Sequence, residues 1–188
     1  MKKLIIVAAV FISTTINAQD NKQLSISIMN ENIHYKAKGF NNFNPGGEIG
    51  MTLKKKDRKY FFSEFNIYAG GYYHKKVETA FYLRGDYSFG IKLQDVLAID
   101  LHGGLGYMHT FYPGHLYEQN NNGDFEKINQ TGRPHAIANA GLGITVLSSG
   151  RVKPFIKYEL MGETPFANGI PFVPHSFLKL GIKYNFKK

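Results

Sequence analysis

Histidines beside hydroxyls and acids are the residues of this sequence best suited to chemistry. His109 stands next to Thr110, His115 follows shortly after, and His175 stands next to Ser176. A nucleophilic hydroxyl needs a base within hydrogen-bond reach and a third group to orient that base. No Ser lies two residues from His109, so a His-x-Ser hydrolase pairing is missing there. His102 lies two residues from Asp100, which puts both on one face of an extended chain. Two such residues make a hydrogen-bonded pair, whereas a metal site wants three or four convergent ligands. Asn120-Asn121-Asn122-Gly123-Asp124 is rich in side-chain oxygen but lacks the spacing of a calcium loop, and reads as a solvated loop. Asn129-Gln130-Thr131 matches a glycosylation triplet, a pattern common by chance. Arg84-Gly85-Asp86 spells an adhesion tripeptide but falls in the middle of a strand. Gly103-Gly104-Leu105-Gly106 is no nucleotide loop, because no helix follows it, and such glycines suit the curvature of a barrel. There is no Cys, hence no disulfide and no thiolate chemistry. From sequence, no catalytic, metal or cofactor-binding residue is assigned and no cofactor is expected.

The elements that must position these residues show a period of two. Gly, Tyr and Phe are abundant (20, 12 and 15) and Trp is absent. Helical periodicity is lacking, while apolar and polar residues alternate in run after run, the signature of strands. Eight strands are expected: Gln23–Asn30, Gly46–Lys54, Tyr60–His74, Thr79–Leu93, Val96–Tyr112, Pro134–Leu147, Arg151–Glu163 and Ser176–Phe186. In the last, Leu178, Leu180, Ile182, Tyr184 and Phe186 oppose Lys179, Gly181, Lys183 and Asn185. In the fourth, Phe81, Leu83, Tyr87, Phe89 and Ile91 oppose Tyr82, Arg84, Asp86, Ser88 and Lys92. Such strands need two different environments, one for each face. Tight connections (Lys55–Lys59, Gln94-Asp95, Ser148–Gly150) alternate with others that are mostly longer (Glu31–Pro45, Lys75–Glu78, Pro113–Arg133, Met161–His175). Successive connections of an up-and-down barrel lie at opposite ends. One end then carries turns and the other loops, with Lys75–Glu78 short for a loop.

Residues 1–18 read as a secretory signal peptide. Lys2 and Lys3 precede the apolar run Leu4–Ile12, too short to span a bilayer as a helix, and cleavage is expected after Ala18. Residues 19–188 form the single domain. The chain carries a net charge of +9, of which the leader's lysines supply two. An exported basic protein meets little nucleic acid, so nucleic acid is not an expected partner. Lys54-Lys55-Lys56, Lys75-Lys76 and Lys187-Lys188 place much of the excess in turns and tails, where anionic lipid is within reach.

Alternation alone does not say which face looks inward. The apolar face carries no charge over its central stretch, as lipid demands: a charge at the bilayer midplane costs roughly 2–4 kcal/mol. Its aromatics Phe61, Tyr73, Phe111, Tyr158 and Phe186 fall near strand ends, as in interfacial girdles. The polar face mixes Gly with charges of both signs, which suits a narrow lumen. Glu48, Glu64, Arg84, Asp86, Asp100, His102, Lys157, Glu159, Lys179 and Lys183 are expected to form its polar network. An eight-stranded barrel has an interior just wide enough for side chains, so no open pore is expected.

These residues carry a resemblance. The chain resembles the small eight-stranded outer-membrane β-barrels of Gram-negative bacteria, of the OmpA and OmpX type. The resemblance rests on the leader, the hairpin pattern over residues 23–186 and the last strand, Phe177-Leu178-Lys179-Leu180-Gly181-Ile182-Lys183-Tyr184-Asn185-Phe186. It implies an all-β fold, an eight-stranded antiparallel up-and-down transmembrane barrel. It also implies a location in the outer membrane, with outer-membrane lipid, lipopolysaccharide and the outer-membrane insertion machinery as partners. The last strand resembles the terminal signal that machinery recognises, apart from two lysines after Phe186. The function expected is structural or interactive, through extracellular loops. Phe166, Ile170 and Phe172 form a candidate surface for a protein partner, because exposed apolar residues mark such sites. Two alternatives stand beside it: a soluble periplasmic barrel binding lipid in an apolar interior, and an outer-membrane enzyme that modifies lipid.

Overall fold

The computed structural model describes residues 22–33, 43–75, 77–94, 96–112, 114, 116–119, 123–128, 132–165 and 172–186. The expected leader with its cleavage site, and Phe166, Ile170, His115, Asn120–Asn122 and Asn129–Thr131, lie outside them. The chain folds into β1 (Gln23–Asn32), β2 (Pro45–Asp57), β3 (Phe61–His74), β4 (Glu78–Leu93), β5 (Leu97–Phe111), β6 (Leu116–Gln119), β7 (Phe125–Ile128), β8 (Arg133–Val146), β9 (Val152–Thr164) and β10 (Val173–Asn185). Eight of these close an antiparallel barrel in the order β1-β10-β9-β8-β5-β4-β3-β2, and β6 and β7 form a separate hairpin between β5 and β8.

Closure follows from the first and last strands. β1 pairs with β10 from Gln23↔Asn185 to Asn32↔Ser176, which leaves the barrel sheet no free edge. The connections sort as expected. The strand ends place the connections 58–60, 94–96 and 147–151 at one end of the barrel and 33–44, 112–132 and 165–172 at the other. The connection from β3 to β4 is a tight turn at the loop end, closed by Val77 N–H donating to the His74 carbonyl at 3.1 Å.

Three expectations about the loop end need correction. The stretch 113–133 is not all loop, because it carries the β6–β7 hairpin. His175 does not belong to a loop: it is buried, and β9 and β10 pair as far as Glu163↔Val173, with Met161 inside β9 as the seventh expected strand had it. The first strand runs on through Glu31 to Asn32. In the last two cases strand pairing continues past the clear alternation, through Pro174-His175 and Glu31-Asn32.

The two faces sort cleanly. Ile28, Phe81, Leu83, Tyr87, Leu101, Leu105, Leu142 and Leu180 are each more than half exposed on the outer wall. Soluble monomers rarely expose contiguous apolar patches beyond a few hundred Å². The interior holds Glu48, Glu64, Arg84, Asp86, Asp100, Glu159 and Lys179, all buried. A soluble lipid-binding barrel needs the reverse arrangement, so that alternative falls. The barrel is of the transmembrane kind.

Glycines make this crowded lumen possible. A Cβ on Gly104 would lie 2.2 Å from Asp86 Oδ1 and from the Gly85 carbonyl, and one on Gly143 would lie 2.7 Å from Asp100 Oδ1. Each glycine stands directly in register with the acid that leans over it, Asp86↔Gly104 and Asp100↔Gly143. The bare backbone supplies the volume that the neighbouring carboxylate occupies.

Candidate functional site

The lumen is stacked in layers, because inward residues recur every second position along every strand. Toward the turn end, Lys183 Nζ and Lys55 Nζ each lie 3.0 Å from a Glu64 oxygen. Lys157 Nζ reaches the Tyr68 hydroxyl at 3.4 Å from β9, on the opposite wall from β3. Below them opens a cavity of about 330 Å³, lined in part by Gln23, Lys55, Lys92, Lys153 and Lys183.

The middle layer is ionic. Arg84 donates from Nη1 to Glu159 Oε1 at 2.6 Å and from Nη2 to Glu48 Oε2 at 2.9 Å, with Asp86 Oδ2 at 3.4 Å. Lys179 Nζ donates to Glu48 Oε2 at 2.9 Å and to both Glu159 oxygens at 3.1 Å. Tyr82 O–H donates to Glu48 Oε2 at 2.6 Å. His102 Nδ1 lies 3.1 Å from Asp100 Oδ2, and its Nε2 lies 3.4 Å from Glu159 Oε2. Five strands thus contribute charged and polar groups to one mesh. Buried charges demand this, since an unpaired one costs several kcal/mol.

Beyond the mesh lies an apolar septum. Met29, Tyr72, Ala80, Met108, Ile137, Met161 and Phe177 come from seven different strands, and Tyr82 joins them from the layer beneath. β2 contributes Gly46, where a Cβ would meet Met29 Cγ and Tyr72 Cβ at 2.9 Å. Only a glycine leaves room for both.

Two residues further along each strand, the septum gives way to a ring of polar side chains at the loop end. The ring is Glu31, His74, Glu78, Thr110, His135, Glu163 and His175, one from each of seven strands, with Asn44 entering just before β2. His175 Nδ1 lies 2.9 Å from Glu31 Oε1, and its Nε2 lies 3.0 Å from Glu163 Oε2 and 4.0 Å from Glu78 Oε1. Tyr72 O–H rises from the septum and donates to Glu78 Oε1 at 2.5 Å. His74 Nδ1 is 2.7 Å from Glu31 Oε2. His135 Nε2 is 2.9 Å from Thr110 Oγ1, and its Nδ1 is 2.9 Å from Glu163 Oε1. Three buried carboxylates and three imidazoles therefore share one ring. Sequence reasoning missed it. The signal was present as parity: stepping outward by twos from Lys179 reaches His175, from Arg84 reaches Glu78, and from Glu159 reaches Glu163.

All ten residues expected in the polar network are buried and face the lumen. The mesh gathers Glu48, Arg84, Asp86, Asp100, His102, Glu159 and Lys179, while Glu64, Lys157 and Lys183 sit nearer the turns. The hydroxyl and histidine candidates do not pair. His109 is on the outer wall beside the Tyr107 hydroxyl at 2.9 Å, whereas its neighbour Thr110 points inward. Ser176 Oγ donates to the Asn32 carbonyl at 3.3 Å, away from the carboxylates that hold His175. Arg84 and Asp86 face the lumen, out of reach of any adhesion partner. Of the candidate loop surface, Phe172 is described and is exposed.

No protein-family model matches the chain, and no curated protein matches it. Solved structures do. Neisserial surface protein A (NspA) superposes with a TM-score of 0.57 at 10% identity, over 88% of this chain and 96% of the other. Ail, the attachment invasion locus protein of Yersinia pestis, solved with the heparin analogue sucrose octasulfate, gives 0.50 at 11% identity, over 89% of this chain and all of the other. At these identities the likeness is one of fold: the chain has the fold of the small eight-stranded outer-membrane barrels.

Proposed function

We propose that this chain is a closed outer-membrane barrel whose role is structural or interactive and whose working surface is its loop end. The septum is the observation that carries this. Apolar side chains from seven strands meet across the lumen, and the ionic mesh lies directly beneath them. Ions crossing the barrel would have to part both layers. The loop end also presents aromatic side chains: Phe43, Phe125 and Phe172, from three separate connections, are all exposed. Such groups favour a partner site over a bare solvent surface. An enzymatic role has less support: neither His109 nor His175 pairs with the hydroxyl next to it, and the ring's hydroxyl–imidazole–carboxylate chain, Thr110–His135–Glu163, is buried, with Thr110 shielded from solvent.

The absence of cysteine gives a clean test of location and orientation. Phe125→Cys, at the loop end, should react with a membrane-impermeant maleimide on intact cells. Ser149→Cys, in the exposed turn between β8 and β9, should react only after the outer membrane is permeabilised. Labelling of both in the soluble fraction after osmotic shock would sink the proposal. In planar bilayers the purified barrel should give no steady channel. Regular large openings would show that the septum is not a barrier.

A further inference from the structure

The ring at the loop end differs from the ionic mesh in how its acids are balanced. In the mesh, Arg84 and Lys179 hold the carboxylates. In the ring, Glu31 pairs with His74 and His175, and Glu163 with His135 and His175. Glu78 is fully buried, and its Oε2 finds no hydrogen-bond partner among the described residues. Glu163 Oε1 is 2.9 Å from His135 Nδ1, yet that nitrogen also lies 2.6 Å from the Pro165 carbonyl, and Oε1 is left without a well-aligned donor. Glu78 and Glu163 thus each keep one buried oxygen with capacity to spare, while their other oxygens face His175 Nε2. An oxygen in that state is costly unless a cation completes it.

We propose that Glu78, Glu163 and His175 bind one divalent transition-metal ion of the Zn²⁺ kind at the loop end of the lumen. One ligand atom from each lies within 4.8 Å of the others. Bonds of 2.0–2.2 Å in a tetrahedral site put ligand atoms roughly 3.4 Å apart. The separations from His175 Nε2 to Glu163 and Glu78, 3.0 and 4.0 Å, straddle that value. The imidazole is already oriented. Glu31 Oε1 against Nδ1 makes that nitrogen the donor, which turns Nε2 toward the other two acids. Without an ion, a proton on Nε2 bridges to Glu163 Oε2 at 3.0 Å; a metal ion takes that proton's place and reaches Glu78 as well. This is the carboxylate–histidine–metal arrangement in which an outer acid fixes the ring and raises its basicity. One imidazole with two carboxylates suits Zn²⁺ and its neighbours in the series better than Mg²⁺ or Ca²⁺, which prefer oxygen alone. A water completes the four ligands such a site takes.

The test uses the full barrel, refolded in detergent, stripped with a chelator and dialysed against Zn²⁺. Heat-modifiable gel mobility confirms the fold of each variant. Wild type should retain one Zn²⁺ per barrel, and Co²⁺ in its place should give the visible absorption of a four- or five-coordinate site. Glu78→Gln and His175→Gln should lose the stoichiometric ion. Glu31→Gln should weaken binding by roughly 10–100-fold, because it frees the ring without removing a ligand. His109→Gln, on the outer wall, should bind as wild type does. Should His175→Gln fail to fold, Glu78→Gln and the Co²⁺ spectrum still decide. Wild type that retains no Zn²⁺, or a folded Glu78→Gln that retains as much, overturns the proposal. So does displacement of Zn²⁺ by equimolar Mg²⁺ or Ca²⁺.

Discussion

Arg84→Met is expected to destabilise the barrel by about 3–5 kcal/mol, the cost of breaking a buried ion pair from one side. The guanidinium is 1% exposed and faces three carboxylates. Without it, Glu48 keeps Lys179 and the Tyr82 hydroxyl, and Glu159 keeps Lys179 and His102. Among the described residues Asp86 keeps only the Asn139 amide as a hydrogen-bond partner, at 3.2 Å. The loss therefore falls hardest on Asp86. Met retains much of the stem and its packing between Tyr68 and Tyr82, whose rings lie 5.0 and 5.5 Å from the guanidinium carbon. Adding Asp86→Asn should recover part of the loss, with a coupling of roughly 0.5–3 kcal/mol as expected for residues in one network. The folded fraction across a urea series in lipid vesicles, read from gel mobility, measures all three variants. A shift in Arg84→Met of less than 0.5 kcal/mol, the usual range of a surface substitution, would mean that the mesh fills the lumen without holding it.

The mid-barrel layers were legible in the sequence for a physical reason. Where lipid lies outside and charges lie inside, each strand alternates between extremes. Phe81-Tyr82-Leu83-Arg84-Gly85-Asp86 states its two faces without ambiguity. The loop end is different. There both faces are polar, as in Asn30-Glu31-Asn32, or interrupted, as at Pro174, and alternation loses its contrast. Glu31, Glu78 and His175 accordingly fell just outside the expected strands, although strand pairing includes all three. The β6–β7 hairpin was hidden for a related reason, since two strands of four residues are too short to show a period. Partners across the lumen were illegible throughout. Whether Lys183 meets Glu64 or Asp100 depends on how far the strands are staggered around the barrel, and no single strand carries that information.

The outer wall makes its own demand, and one substitution measures it. Leu105 stands near the middle of β5 with 72% of its surface exposed. On a surface facing water, Leu105→Arg should change stability by no more than about 0.5 kcal/mol. Facing the centre of a bilayer, it should cost roughly 2–4 kcal/mol. Val96→Arg supplies the comparison. Val96 is also exposed, but it lies in the turn before β5, at the membrane edge. There the guanidinium reaches water, and the expected cost is roughly 0–1 kcal/mol. Urea titrations of both variants in phospholipid vesicles give the two values side by side. Equal, small costs would mean that the wall is not immersed in lipid. A large cost at Leu105 and a small one at Val96 would show a penalty that grows with depth. Water has no depth to grade such a penalty, so that result would assign the apolar wall to a membrane on energetic grounds, independently of its shape.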